Sequence, residues 1–190
     1  MSVAMEEGPR RHRITVEEYH RMAEVGLLAP DERVELIEGE IIDMPPIGSR
    51  HGAAVDRLIE RLISAVGKRA IVRCQSSIVL GDLSEPQPDF ALLVRRDDFY
   101  ERQAPTAADT LLVIEVSDTT LRYDRETKMS LYARHGIPEL WILDTAGKQL
   151  HVFRRPTGSV YDEVVIVDES RRLPIALLPG VEVDLSALLG

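Results

Sequence analysis

Cysteine is almost absent, with Cys74 standing alone among 190 residues. A single thiol cannot close an intramolecular disulfide or build a Cys-based zinc cluster, and it suits a reducing cytoplasm. Long apolar runs are also missing. Nothing approaches the roughly 20 consecutive residues that cross a bilayer, so no membrane partner is expected. The opening stretch "MSVAMEEGPRRHR" has no apolar core behind its charges and does not read as a secretory signal. Residues 1–13 are expected to form a disordered leader, and residues 14–190 one domain. Internal repeats, low-complexity tracts and linker-like segments are lacking as well.

Positive charge is the scarcer sign. Against 32 Asp and Glu stand 23 Lys and Arg, a net charge of -9, which argues against nonspecific duplex binding over the whole surface. A local basic groove and a site for divalent cations both remain compatible with it. The pairs Arg95-Arg96, Arg154-Arg155 and Arg171-Arg172 read as solvated surface pairs. Neither a GxSxG elbow nor a P-loop, GxGxxG or HExxH motif occurs, so acyl hydrolase, NTPase, dinucleotide and zinc-protease chemistries lack support.

What is present is an ordinary globular composition, 44% hydrophobic and 29% charged, in a chain long enough for one proper core. "ITVEEYHRMAEVG" (14–26) reads as a short helix, with Thr15 and Glu18 spaced as a capping box and Gly26 as a stop. "VELIEGEIIDM" (34–44) reads as a hairpin turning at Glu38-Gly39. A helix over 50–66, capped by Ser49, shows Val55, Leu58, Ile59, Leu62, Ile63 and Val66 on one face, and Gly67 ends it. Strands are predicted at 71–80, 88–94 and 111–117, and a polar loop between the last two. A helix over 121–135 stops at Gly136, with Pro138 beyond. Further strands are predicted at 139–144, 149–155 and 163–168. The central order is helix, three strands, helix, strand: a mixed α/β fold with its sheet between helices and an N-terminal hairpin extension.

In that frame "LLVIEVSD" poses a problem. Glu115 stands where another aliphatic residue would fit, and an unpaired buried carboxylate costs several kcal/mol or more. It could pair with Arg122 or Arg125, sit where the strand leaves the sheet, or ligate a metal. Strand alternation places it with Val113 and Ser117, and Asp89 of "PDF" with Ala91 and Leu93. If the two strands are neighbours, the carboxylates converge, and two carboxylates with a backbone carbonyl and waters suit Mg²⁺ or Mn²⁺. Lys128 lies one turn before Leu131 and Tyr132, bordering the sheet-packing face, from which its ammonium could reach the pair. There it could orient or deprotonate a water, or stabilise charge on a phosphate. Blander readings make Asp89 a turn residue and Lys128 a solvated partner of Asp124. Glu35 could reach the site but reads first as an exposed strand carboxylate, His51 and Gln75 as surface or packing residues that could line a pocket, and Trp141 as core.

"PDF", "LLVIEVSD" and a lysine on the next helix together resemble the PD-(D/E)XK nuclease superfamily. More narrowly, they resemble a large bacterial family classed with restriction endonucleases and long catalogued as a domain of unknown function. The likeness extends to "VELIEGEI", the helix near His51, "KMSLYARHGIPELWILD" and "LPGVEVDLSALL". It implies a restriction-endonuclease-like core of order αβββαβ and metal-dependent hydrolysis of DNA phosphodiester bonds. Asp89 and Glu115 would be the two acids, holding Mg²⁺ or Mn²⁺ with the Val116 carbonyl, and Lys128 the assisting base or cation. The strict motif has lysine where this chain has Ser117; the narrower family moves it to the following helix, at the place of Lys128. DNA is the implied partner, and a homodimer would suit double-strand cleavage. The same fold could instead have lost cleavage and bind DNA or a protein.

Overall fold

In the computed structural model, residues 10–167, 172–186 and 188 are described. Most of the predicted leader, and Arg171 of the third arginine pair, lie outside them. Helix α1 (Val16–Glu24) begins with the expected capping box, Thr15 and Glu18 each bonding the other's backbone. Strands β1 (Val34–Ile37) and β2 (Glu40–Asp43) form the hairpin, a two-stranded sheet of its own. Its turn residues Glu38 and Gly39 both take positive φ, 51° and 79°, the geometry that matches the twist of tight hairpins.

Helix α2 (Ser49–Val66) is capped by Gly48, not by the side chain of Ser49, which is already the first helical residue. It buries Ala54, Val55, Leu58, Leu62 and Val66. Ile63 falls off that stripe and is 58% exposed. The main sheet has six strands, in the order β3 (Ala70–Cys74), β4 (Phe90–Val94), β5 (Thr110–Ser117), β6 (Glu139–Asp144), β7 (Gln149–Thr157) and β8 (Val160–Val167). Only β5 and β6 run parallel, as the crossover through the intervening helical segment requires. The order αβββαβ is therefore present, and the fold is mixed α/β.

Strand β3 is shorter than predicted. At Gln75 the backbone turns to φ 44°, and the apolar Ile78 and Leu80 are buried from a loop instead. The second helix is not a uniform α-helix. Leu121–Tyr123 (α3) runs into a π-helical turn, Asp124–Lys128, and then Met129–Arg134 (α4). A further short pair, β9 (Arg172–Pro174) with β10 (Glu182–Asp184), has too little alternation to be read from sequence.

Strand alternation sorts the core into two layers. Phe90, Leu92, Leu112, Ile114, Val116 and Trp141 face α2 and the C-terminal segment; Ala91, Leu93, Val113, Leu140 and Ile142 face Leu131 and Tyr132 of α4. Trp141 is core as predicted, its indole N–H donating to the buried carboxylate of Glu139 at 2.9 Å. Arg154 is not the solvated surface residue that its arginine pair suggests, since it pairs with that same carboxylate at 2.7 Å.

Candidate active site and metal centre

The register of β4 against β5 pairs Phe90 with Ile114. One step further along these antiparallel strands, Asp89 lies level with Glu115, and residues opposite one another share a face. Asp89 is locked there: its Oδ2 accepts the Val116 N–H at 2.8 Å, and its Oδ1 contacts His51 Nε2 at 2.9 Å. His51 comes from the first turn of α2, and its hydrogen bond to Asp89 raises the ring above the usual imidazole range.

Glu115 is only 3% exposed. Neither Arg122 nor Arg125 pairs with it, Arg122 being taken by Glu126. Its Oε1 instead accepts the Tyr132 hydroxyl at 2.6 Å and lies 3.2 Å from Lys128 Nζ. Lys128 is 1% exposed and reaches a second carboxylate, Glu35 Oε2, at 3.1 Å. Glu35 is thus wholly buried, not the exposed strand residue expected, and its Oε2 also accepts the Gln87 N–H at 3.2 Å. Asp124 does not pair with Lys128; its Oδ2 takes the hydroxyls of Ser117 and Thr120, both at 2.6 Å. Ser117, standing where the strict motif has lysine, therefore ties the start of the helical segment to β5.

The π turn helps to explain how a helix lysine enters the core. An i→i+5 turn holds one residue more than an α turn, so it rotates the next side chains about the helix axis. Lys128 closes that turn and Asp124 opens it, and both are buried. Leu131 and Tyr132 then pack on the sheet from the same side. Sequence reasoning missed Tyr132, Asp124 and Tyr123 as members of the cluster. The spacing of Tyr132 four residues after Lys128 was the available signal.

Electrostatics follow from crowding. Burial, reinforced by the charges of Asp124, Asp89 and Glu35, pushes the Glu115 carboxyl up to about 8 despite Lys128 beside it. For Lys128, burial opposes the charge, but Glu115, Glu35 and Asp124 outweigh it and hold the ammonium protonated. The Tyr132 phenol is driven well above its usual range by burial and the same carboxylates.

Asp89, His51, Glu115, Asp124 and Lys128 border a cleft of about 320 Å³ that opens between the hairpin, the start of α2 and the end of β5, lined also by Gln75, Gln87, Asp118 and Tyr123. Glu35 and Tyr132 are buried behind Lys128 and Glu115. Gln75 and His51 do line the pocket. Among the described residues, two buried side-chain polar atoms lack any partner: Glu35 Oε1 and Tyr123 Oη. Both belong to the residues around Lys128, and such orphans ask for water or an ion. No three His, Cys, Asp or Glu side chains among the described residues converge tightly enough to hold a metal alone. The donor set still fits an oxygen-loving dication that keeps several waters, since Asp89, the free Oε2 of Glu115 and backbone carbonyls are all hard ligands.

A search of curated proteins finds no match. Among solved structures, the chain is similar to a protein of Anabaena variabilis ATCC 29413 described as "a putative nuclease belonging to DUF820". The TM-score is 0.68 at 19% identity, covering 93% of this chain and 99% of that one, a likeness of fold. The family model described as "Uma2: Putative restriction endonuclease" matches residues 16–186. Matched over nearly its whole length, the chain belongs to the Uma2 family, a family of restriction-endonuclease type.

Proposed function

We propose that this protein is a divalent-metal-dependent endonuclease that hydrolyses DNA phosphodiester bonds. The observation that carries the reading is the charge imbalance in the cleft. Lys128 touches Glu35 and Glu115 with Asp124 near by, Asp89 stands beside Glu115, and burial together with these neighbouring charges pushes Glu115 up to about 8. Such a cluster calls for added positive charge. Asp89, Glu115 and the Val116 carbonyl would hold Mg²⁺ or Mn²⁺, which when bound makes water more acidic and offsets the charge of the scissile phosphate. Lys128 keeps its proton, so its role is to orient the attacking water and steady charge on the phosphate, not to take a proton. The water attacks phosphorus and releases its proton to solvent, while the bond to the leaving sugar oxygen breaks and that oxygen takes up a proton from solvent.

DNA as substrate has support beyond the family. Beside the cleft, Arg50, Arg57 and Lys148 line a second hollow, joined to the first by the Arg50–Asp118 pair at 3.1 Å. Cations there can meet a phosphate backbone although the whole chain carries a net charge of -9. One cleft per chain cuts one strand, so a homodimer in the cytoplasm is the proposed working form.

The test is incubation of supercoiled plasmid with the protein and Mg²⁺ or Mn²⁺, beside Asp89→Asn, Glu115→Gln and an EDTA control. Nicking by the wild type alone supports the reading. No nicking by any sample, and no thermal stabilisation by either ion, would favour a non-cleaving module that binds DNA or a protein. One feature leans that way: Lys128 already has two carboxylate partners, as a structural ion triad would.

A further inference from the structure

The turn after β4 presents an aromatic ring to solvent on a costly backbone. Phe99 is 50% exposed, and it and Tyr100 both take positive φ, 48° and 62°. Two bulky residues in succession in the left-handed region is a rare arrangement, of the kind kept where a side chain must be held in one place for a ligand. Tyr100 anchors the turn, buried and donating its hydroxyl to the Val94 carbonyl at 2.8 Å. Phe99 is left facing outward, with the Arg95 guanidinium 4.7 Å from its ring centre. Arg73 fastens the turn from the edge strand β3, donating to the Phe99 carbonyl at 2.8 Å. Arg73 stands opposite Ala91, and Ala91 shares the sheet face of Asp89. The ring is therefore tied to the face that carries Asp89 and Glu115. Arg96 is taken by Asp98 at 2.7 Å, whereas Arg73 and Arg95 enter no ion pair among the described residues. Asp97, Asp98 and Glu101 offset most of the positive charge of the turn, so affinity there has to come from stacking more than from bulk attraction.

We propose that Phe99 is a stacking platform for an unpaired base, with Arg73 and Arg95 beside it to meet the adjoining phosphates, so that the DNA taken by this protein carries a single-stranded stretch next to the cut. An exposed aromatic ring flanked by arginine suits that ligand, because every base has a π face and stacking on a ring tolerates any sequence. Bases within a duplex are already stacked on one another and offer the ring nothing. Phe99 thus selects the strand state of the substrate and not its sequence. The inference rests on the DNA reading above but goes further, naming the form of the DNA and a residue that recognises it.

The experiment is binding of labelled oligo(dT), and of a duplex of the same length, to the whole chain in EDTA, where no metal-dependent cleavage intervenes, read by fluorescence anisotropy at several salt concentrations. The wild type should bind oligo(dT) more tightly than the duplex. Phe99→Ala should weaken oligo(dT) binding about tenfold or more, the loss of one stacked base, and leave duplex binding unchanged. Its salt slope should match the wild type, since no cation is removed. Phe99→Trp keeps an aromatic ring and should bind as the wild type does, with its fluorescence quenched by oligo(dT), while the buried Trp141 does not respond. Wild-type affinity for oligo(dT) in Phe99→Ala, an equal loss on the duplex, or no quenching in Phe99→Trp would overturn the platform and leave the DNA reading standing. No binding of either DNA by the wild type would overturn both.

Discussion

Lys128 Nζ lies 3.1 Å from Glu35 Oε2 and 3.2 Å from Glu115 Oε1, so one buried ammonium joins the N-terminal hairpin to the central strand of the main sheet. Removing it leaves buried carboxylates without a counter-charge. Lys128→Ala is expected to lose about 3–5 kcal/mol of folding stability, the range for breaking a buried pair, as read by urea denaturation. A loss under about 1 kcal/mol would mean the triad is solvated in solution.

The raised carboxyl of Glu115 predicts a pH dependence of opposite sign to the usual acid one. Its ordinary value is 4.5 and its folded value about 8. Between the two, the folded chain binds the extra proton, so stability is full below 4.5 and falls as pH rises through about 8. Thermal melts without metal should show that decline, and Glu115→Gln should flatten it. A divalent ion displaces the proton, so stabilisation by Mn²⁺ should grow over the same window.

Tyr132 donates to Glu115 at 2.6 Å. Tyr132→Phe keeps the ring in the core and removes a hydrogen bond to a buried acid, worth about 1.5–3 kcal/mol where the acceptor is charged. The loss should be larger at pH 9, where Glu115 is ionised, than at pH 6. Equal losses at both would show that Glu115 does not titrate in this range.

Gly39 sits at φ 79°, and an added Cβ would come within 2.5 Å of Arg13 Cβ and 3.0 Å of its Cα. Gly39→Ala should therefore destabilise the hairpin that carries Glu35 by more than about 1 kcal/mol. Near-wild-type melting would mean that residues around Arg13 shift freely.

Arg50 and Arg57 should act on substrate affinity alone. Replacing both by Ala should lower the salt slope of DNA binding by about 2 and leave the melting temperature close to wild type. An unchanged slope would place the DNA path elsewhere.

Much of this was legible in the sequence. The hairpin at Glu38-Gly39, the capping box at Thr15 and Glu18 and the apolar stripe of α2 are local patterns, set by spacing within a few residues. Asp89 and Glu115 could be aligned once β4 and β5 were taken as neighbours. Glu35 was misread because its partner is Lys128, remote in the chain, and a lone strand carboxylate carries no sign of a distant ammonium. The π turn was missed for a related reason. Its residues "DRETK" carry no local sign of a wider turn, and Asp124 at its start is held by the hydroxyls of Ser117 and Thr120, the first of them distant from the helix as a strand residue. Ser49 lost the cap to Gly48 by a single residue, the usual scale of error at a helix end.

The hairpin pairs with none of the six strands of the main sheet. Such an appendage would ordinarily be the first part of a domain to open and exchange its amides with water. Here opening it would also pull Glu35 away from Lys128 and strand a buried ammonium with a single carboxylate. Charge as well as apolar area therefore fastens the hairpin down, so its loosening and the undoing of the cleft are one event.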